Sequence, residues 1–317
     1  MSDKAKWIGG LAEWTVEDTA YLSIAFTWLL DAAAIRAVSY RMLGYQVKVG
    51  GPGVFLLHRA KKHHDLFDIA EYGADYPGAL LRHNPDATIA SRGCPGMGTV
   101  ADPKPCAFCI VPPMEGTSFT LFPDFTPRPI LCDNNLSALP ADYQDFIIRR
   151  YQEAGVKLLD ANSGFEPVTF TEEVYRRWKP VLRGPWRFGY DTIKERLQAQ
   201  RVLKMLADEP EYRKRPYVLI GNEPMADCLA RIQECLDAGT DPHVQPEIKL
   251  KTEEKRYWVR HDWTYKHLVG VARWVNGHVA KRGIPYKDYV AYFKPAPERY
   301  DAQQWLDLAR ADLMRKP

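Results

Sequence analysis

The sequence predicts an α/β protein: six parallel strands in a (β/α) barrel or open sheet, preceded by a separate strand–helix–strand unit. Three observations lead there. From about residue 86 onward, short β-prone runs alternate with amphipathic helical stretches, the pattern of βα units on a parallel sheet. Most of these runs end in Asp, Asn or Gly, and in such folds chemistry gathers at the C-terminal ends of strands. Before residue 86, two strands flank one helix at the spacing of a βαβ crossover. The chain accordingly divides into a Rossmann-like flanking domain over 1–85, a core over 86–250 and a helical extension over 251–317.

Taken in order, Tyr21–Trp28 reads as a buried strand. Asp31 opens a helical pattern through Ile35, Val38 and Met42 that stops at Gly44, a common C-terminal signal. Tyr45–Val49 alternates as the second strand and runs into Gly50-Gly51-Pro52-Gly53. That run does not match Gly-x-Gly-x-x-Gly, so no dinucleotide fingerprint is present. Residues 58–85 are polar and hold His58, His63, His64 and His83; the KKHHD run among them reads as a solvated face rather than a metal site. Pro129–Cys132 is a short strand ending in Asp133-Asn134-Asn135. A helix over 140–154 carries Tyr143, Phe146, Ile147 and Tyr151 on one face and closes at Gly155. Val156–Leu159 is a strand ending in Asp160-Ala161-Asn162-Ser163-Gly164. Thr171 caps a helix through Val174 and Trp178. A strand over 186–191 precedes a helix over 193–207, and Tyr217–Ile220 ends in Gly221-Asn222-Glu223-Pro224. A helix over 225–238 and a strand over 243–250 complete the series. Asp262 is the expected cap of a last helix with the stripe Leu268, Val271, Val275, Val279.

Composition bounds the class. With 317 residues, 46% apolar and 26% charged, the chain is long enough for a sizeable core. No apolar run reaches about 18 residues, and the start lacks a signal-peptide pattern, so no membrane span and a cytoplasmic location are expected. Six cysteines do not make a disulfide framework at this length. A net charge of +3 does not by itself argue for nucleic acid.

The chemistry-bearing stretch is Ser91–Gly116. It holds Cys94, Cys106 and Cys109, with eleven residues in the first gap and two in the second. A Cys-x-x-Cys pair alone fits zinc, redox chemistry or neither. Three thiolates also suit a four-iron cluster with one iron left free. The motifs SRGCP, CAFC and IVPPMEG resemble the cluster loop of radical S-adenosylmethionine (radical SAM) enzymes, with greatest likeness to the methylthiotransferase-like and cobalamin-domain-bearing branches. DNNLSA, DANSGF, RFGYD and YVLIGNEP look like successive strand ends of that family's partial six-unit barrel, and HDWTYKHLVGVARWVN like its tail. The likeness covers about 230 residues, from roughly residue 86 onward.

The resemblance implies a partial (β/α)6 radical SAM barrel and an enzyme. Cys94, Cys106 and Cys109 would hold a [4Fe-4S] cluster whose free iron chelates SAM, and reductive cleavage would give a 5′-deoxyadenosyl radical acting on an unidentified substrate. Phe108 takes the family's aromatic place before the last cysteine, whereas the first gap departs from the family by the insertion GMGTVADPKP. Asp133, Asn134 and Asn135 stand where the family grips the SAM ammonium. Asn162 and Ser163 would meet ribose or carboxylate, Arg187 the carboxylate, and Asn222 the adenine or ribose; a surface pair with an Asp is the alternative for Arg187, and helix capping or a turn for the others. An electron donor such as flavodoxin or ferredoxin would be a partner. The Asp-x-His-x-x-Gly signature is absent, so cobalamin is not expected. Cys228 and Cys235 share a helix face and read as buried structural cysteines; Cys132 precedes the Asp133 turn. The rival reading is a zinc-stabilised nucleic-acid-binding protein using Cys94, Cys106, Cys109 and His83, with Trp258, Trp263 and Trp274 among arginines as base-stacking groups. A third is a paralogue that binds SAM without cleaving it.

Overall fold

The computed structural model describes residues 6–8, 10–59, 62–73, 79–162, 164–250, 252 and 256–293. Ser163 and the end of the expected helical extension lie outside the described residues. Among the described residues the chain forms two compact units: one takes in residues up to 85 and returns with 248–256, the other holds 86–247 and 257–293.

The first unit carries a five-stranded sheet in chain order, β1 (Lys6–Ile8), β2 (Leu11–Val16), β3 (Thr19–Ile24), β4 (Gln46–Gly50) and β5 (Glu71–Tyr72). β1, β2 and β3 pair antiparallel, whereas β3, β4 and β5 are parallel. The βαβ crossover is β3, helix α1 (Leu30–Met42) and β4. α1 differs from the expected stripe: Val38 and Met42 are exposed, and Leu30, Ala32, Ala33 and Ala37 face the core. Alanine lets the helix axis approach the sheet, and Leu22, Val47 and Val49 fill the interface. β3 stops at Ile24, four residues before the expected end. There the chain presses on Gly51, whose φ is +99° and whose Cβ would lie 2.5 Å from Ile24 O; only glycine fits. Helices α2 (Pro52–Arg59), α3 (Leu66–Ile69) and α4 (Ala79–His83) complete the unit. Glu13, buried in β2, is held by Arg36 through two bonds of 2.8 Å, the bidentate pairing that makes a buried carboxylate tolerable. His83 bonds Ser23 Oγ at 2.9 Å and meets the Trp14 ring edge-on.

The second unit is a run of short parallel strands alternating with helices. β6 (Ala87–Thr88), β7 (Ser91–Arg92), α5 (Val111–Glu115), β8 (Thr120–Leu121), β9 (Ile130–Leu131), α6 (Ala141–Ala154), β10 (Asp160–Ala161) and α7 (Glu172–Trp178) come first. β11 (Trp186–Gly189), α8 (Arg196–Met205), β12 (Lys214–Ile220), α9 (Met225–Asp237), β13 (His243–Pro246), α10 (Tyr265–Asn276) and α11 (Tyr286–Tyr292) follow. β6, β9 and β10 make one parallel sheet, and β11, β12 and β13 another. Parallel bridges Leu158↔Leu182 and Phe165↔Phe188 join the chain around β10 to the chain around β11. The six parallel strands thus neighbour one another in chain order, and no closed barrel forms among the described residues.

Alternation separates the faces. Trp186, Phe188, Val218 and Ile220 are buried beneath the helices, whereas Arg187, Tyr217 and His243 on the opposite face are half-buried. α6 buries Ile147, Ile148 and Tyr151 in the first of two cores, and Thr171 Oγ1 caps α7 by accepting from Val174 N. Two expectations are corrected. The run 156–159 contributes one bridging residue, Leu158, and the strand falls on Asp160–Ala161. α10 is capped by Thr264, which accepts from His267 N at 3.1 Å. Asp262 instead accepts from Met225 N at 2.8 Å at the start of α9, where Pro224 has no side-chain acceptor to offer. Among the described residues no helix is long and apolar enough to cross a membrane.

Candidate functional site

The cysteine loop hangs from β6 and is closed at its base. β7 and β8 pair Ser91 with Leu121 and Arg92 with Thr120. Cys94 N donates to Gly116 O at 3.2 Å. Gly93 has φ +92°, and a Cβ there would lie 2.0 Å from Ser118 O, so the glycine of SRGCP is what lets the two ends cross. The insertion between Cys94 and Cys106 closes on itself. Gly96 bridges Lys104, with Met97 N donating to Lys104 O and Lys104 N to Pro95 O at 3.0 and 2.8 Å. Residues 97–103 are therefore a pinched excursion of the Ω-loop kind, and Pro95-Gly96 runs beside Lys104-Pro105. The long first gap is a gap in sequence rather than in space. Cys106 and Cys109 then sit on one turn, with Cys109 N donating to Cys106 O at 3.0 Å.

All three thiols are half-buried and free. Burial is the main cause that pushes each of them up, and the Cys106 thiol feels Glu166, Cys109, Asp191 and Cys94 in addition. They lie within one another's electrostatic reach, in surroundings that favour neutral thiols until a cation binds. Backbone amides already point at two of the sulfurs, Gly96 N at Cys94 Sγ (3.3 Å) and Val111 N at Cys109 Sγ (3.4 Å). Among the described residues, the group whose ligating atoms all fall within 4.8 Å of one another is the exposed His63, Asp65 and Asp68. Cys94, Cys106 and Cys109 do not all fall within that limit. Tetrahedral zinc at about 2.3 Å from each sulfur holds them roughly 3.8 Å apart, whereas a four-iron cube, with one thiolate per corner, needs a wider set. His83 lies in the first unit with its Nε2 on Ser23.

The turn after β9 locks this loop in place. Asp133 is 1% exposed and accepts from Ala90 N at 2.7 Å and Ser91 Oγ at 2.6 Å. Burial pushes its carboxyl up to about 6, against the pull of those two bonds. Asn134 Nδ2 donates to Glu115 at 2.5 Å and lies 3.4 Å from Gly93 O, joining the two ends of the loop. Asn135 Nδ2 reaches Cys94 Sγ at 3.8 Å, and its Oδ1 accepts from Ala138 N. Of the three, Asn135 touches a cysteine, whereas Asp133 and Asn134 grip backbone and Glu115.

The remaining expected residues separate into two groups. Phe108 and Asn222 line a cavity of about 620 Å³ together with Cys106, Glu195, Glu247 and Trp258. Asn222 Nδ2 donates to Asp191 O at 2.6 Å, and its Oδ1 is buried without a partner. Asn162 is exposed at the end of β10, with Nδ2 4.0 Å from Cys132 Sγ. Arg187 lies on the half-buried sheet face, where it pairs with Asp160 at 2.6 Å and bonds Tyr217 Oη. The guanidinium is therefore engaged one residue into β11 rather than at the strand end. Cys228 and Cys235 are buried in α9.

Sequence reasoning placed Asp191 at a strand end without a role and passed over Glu166 and Arg231 at this rim. Glu166 is pushed up to about 8 by burial first and then by Glu195 and Asp191; Asp191 is pushed up to about 7 by burial and Glu195. Glu166 directly follows the strand end DANSGF, a position that could have flagged it. Arg231 is fully buried in α9 and bonds the carbonyls of Tyr190 and Leu219 and the carboxylate of Glu223. It ties the ends of β11 and β12 together, and nothing in the helix pattern distinguishes it. No protein-family model matches the chain, and no curated protein matches it.

Proposed function

We propose that this chain is a radical SAM enzyme, with Cys94, Cys106 and Cys109 holding a [4Fe-4S] cluster on the rim of a partial (β/α)6 barrel. One observation carries the reading: the cysteine loop sits on the C-terminal ends of parallel strands, with Asn135 after β9 on Cys94 Sγ and Asn222 after β12 sharing a cavity with Cys106. The amides aimed at two of the sulfurs suit thiolates that carry negative charge when a metal centre is bound. When bound, the cluster and SAM supply reductive cleavage of the sulfonium to a carbon radical.

The chain's own residues bind, orient and shield. Glu195, Glu223 and Glu247 line the cavity together with Lys194 and Arg260, and Glu223 and Glu247 are paired with Arg231 and Arg260. Asp133 and Asn134 fix the loop ends so that the thiols meet the strand ends in one geometry. Phe108 and Trp258 supply apolar walls that exclude water. An electron donor of the flavodoxin or ferredoxin kind, an unidentified substrate and a cytoplasmic location belong to the same proposal. Anaerobic reconstitution tests it. The chain should take up about four irons and, with dithionite and SAM, release 5′-deoxyadenosine and methionine. Stoichiometric zinc without iron would favour the rival.

A further inference from the structure

The half-buried face of β11, β12 and β13 carries polar groups that neither the cysteine loop nor the cavity beside it uses. Strand pairing sets Arg187 against Arg215, Gly189 against Tyr217, and Tyr217 against His243. Residues two apart on a strand share a face, so these positions stand together, opposite the buried Trp186, Phe188, Val218 and Val244. Gly189 leaves room among them. A Cβ there would have only the Asp191 side chain within 4 Å, with Oδ2 at 3.1 Å.

Two of these side chains are committed. Arg187 pairs with Asp160 at 2.6 Å and bonds Tyr217 Oη, which holds the Tyr217 ring against the His243 imidazole, with centroids 5.2 Å apart. Two others have capacity to spare. Among the described residues neither ring nitrogen of the half-buried His243 makes a hydrogen bond. Arg215 donates through Nη2 to Asp241 at 2.7 Å, which leaves its Nη1 and Nε uncommitted. Asp241 is itself shared, with Lys281 Nζ at 2.5 Å and His278 Nδ1 at 3.6 Å. The imidazole reports the sign of the field. Burial first, then the Arg215 and Arg187 guanidiniums, push His243 down, and Asp241 opposes them less strongly. A neutral imidazole beside a guanidinium edge in a positive potential is the complement of one oxyanion. A singly charged carboxylate fits, whereas a phosphate dianion would set its second charge against Asp160 and Asp241.

We propose that this sheet face binds the substrate, and that the substrate is a carboxylic acid whose carboxylate is held by Arg215 and His243 in the room beside Gly189. The inference rests on the proposed function for there being a reaction to perform; the acid site itself rests on the register, the spare donors and the field.

Nitrogen-15 histidine NMR on the full chain tests this, with His243→Gln assigning the signal. Succinate should move the His243 titration midpoint up by at least about 0.5 pH unit, because a carboxylate beside the ring favours its charged form. Succinamide, the uncharged counterpart, should leave it in place. Arg215→Met should raise the resting midpoint, by removing a cation, and abolish the response to succinate; Arg215→Lys should keep part of that response. No movement with succinate, equal movement with succinamide, or a full response in Arg215→Met would overturn the inference. Inorganic phosphate acting at lower concentration than succinate would point to a phosphate ester and overturn the carboxylic acid. S-adenosylhomocysteine moving His243 further than succinate would make this the carboxylate site of SAM and overturn the assignment to substrate. If the chain cleaves SAM but succinate leaves His243 unmoved, this inference fails and the enzyme reading stands. A succinate response from a chain that takes up no iron supports the acid site and removes the enzyme reading.

Discussion

Asp133 gives the sharpest test of how the cysteine loop is held. Its side chain is 1% exposed, and both oxygens accept bonds from the start of the loop, Ala90 N at 2.7 Å and Ser91 Oγ at 2.6 Å. Asp133→Ala leaves both donors without a partner. Bonds to a buried carboxylate contribute about 1.5–3 kcal/mol each, so the expected loss is about 3–6 kcal/mol. Asp133→Asn keeps one acceptor for Ala90 N, and the Ser91 hydroxyl can rotate to accept from the new amide, so about 1 kcal/mol is expected. Urea unfolding of the cluster-free chain measures both. The same residue carries a pH signature. Burial places its folded-state carboxyl at about 6 against an ordinary 3.8. The folded state therefore holds the proton more tightly, and the stabilisation this gives is full below about pH 4 and lost as pH rises through about 6. At about 1.4 kcal/mol per pH unit, the native chain loses on the order of 3 kcal/mol across that window relative to Asp133→Asn. If Asp133→Ala unfolds within about 0.5 kcal/mol of the native chain and takes up full iron, the turn does not hold the loop.

Cys106→Ala and Cys109→Ala should each abolish iron uptake, and Cys94→Ala likewise; full iron in the Cys94 variant would mean that another residue serves in its place. Replacing residues 97–103 by a single glycine should leave iron content unchanged, because Gly96 and Lys104 are already bridged; loss of iron with the fold intact by circular dichroism would show that the excursion shapes the ligand set. Arg231→Met should destabilise the chain by about 3–5 kcal/mol in urea, since Glu223 and two carbonyls lose their buried partner; a change under about 1 kcal/mol would show that water replaces the guanidinium.

The sequence reveals elements where one signal dominates. The βα rhythm after residue 86 places six parallel strands, because each run of Val, Ile, Leu or Trp stops at a polar turn. It places the crossover helix at 30–42 but not its buried face, since small alanines carry no hydrophobic signal and do their work through close approach. It does not show β1 and β2, whose antiparallel pairing depends on register with β3. Asp262 and Thr264 are both good caps of α10 in sequence, and geometry alone decides for Thr264. In the site, Cys94, Cys106, Cys109, Phe108, Asn135 and Asn222 are legible as motif residues that meet at one rim. Arg187 is not, because its partner Asp160 lies on the neighbouring strand. The insertion reads as a wide gap because its closure is made by backbone bonds, which side-chain identity does not record.

The most direct measurement is product analysis of the anaerobically reconstituted chain with dithionite and SAM. Slow uncoupled cleavage needs no substrate, so the account predicts 5′-deoxyadenosine above a no-enzyme control and none from Cys109→Ala. A fully loaded, reducible cluster that binds SAM yet yields no 5′-deoxyadenosine would contradict it.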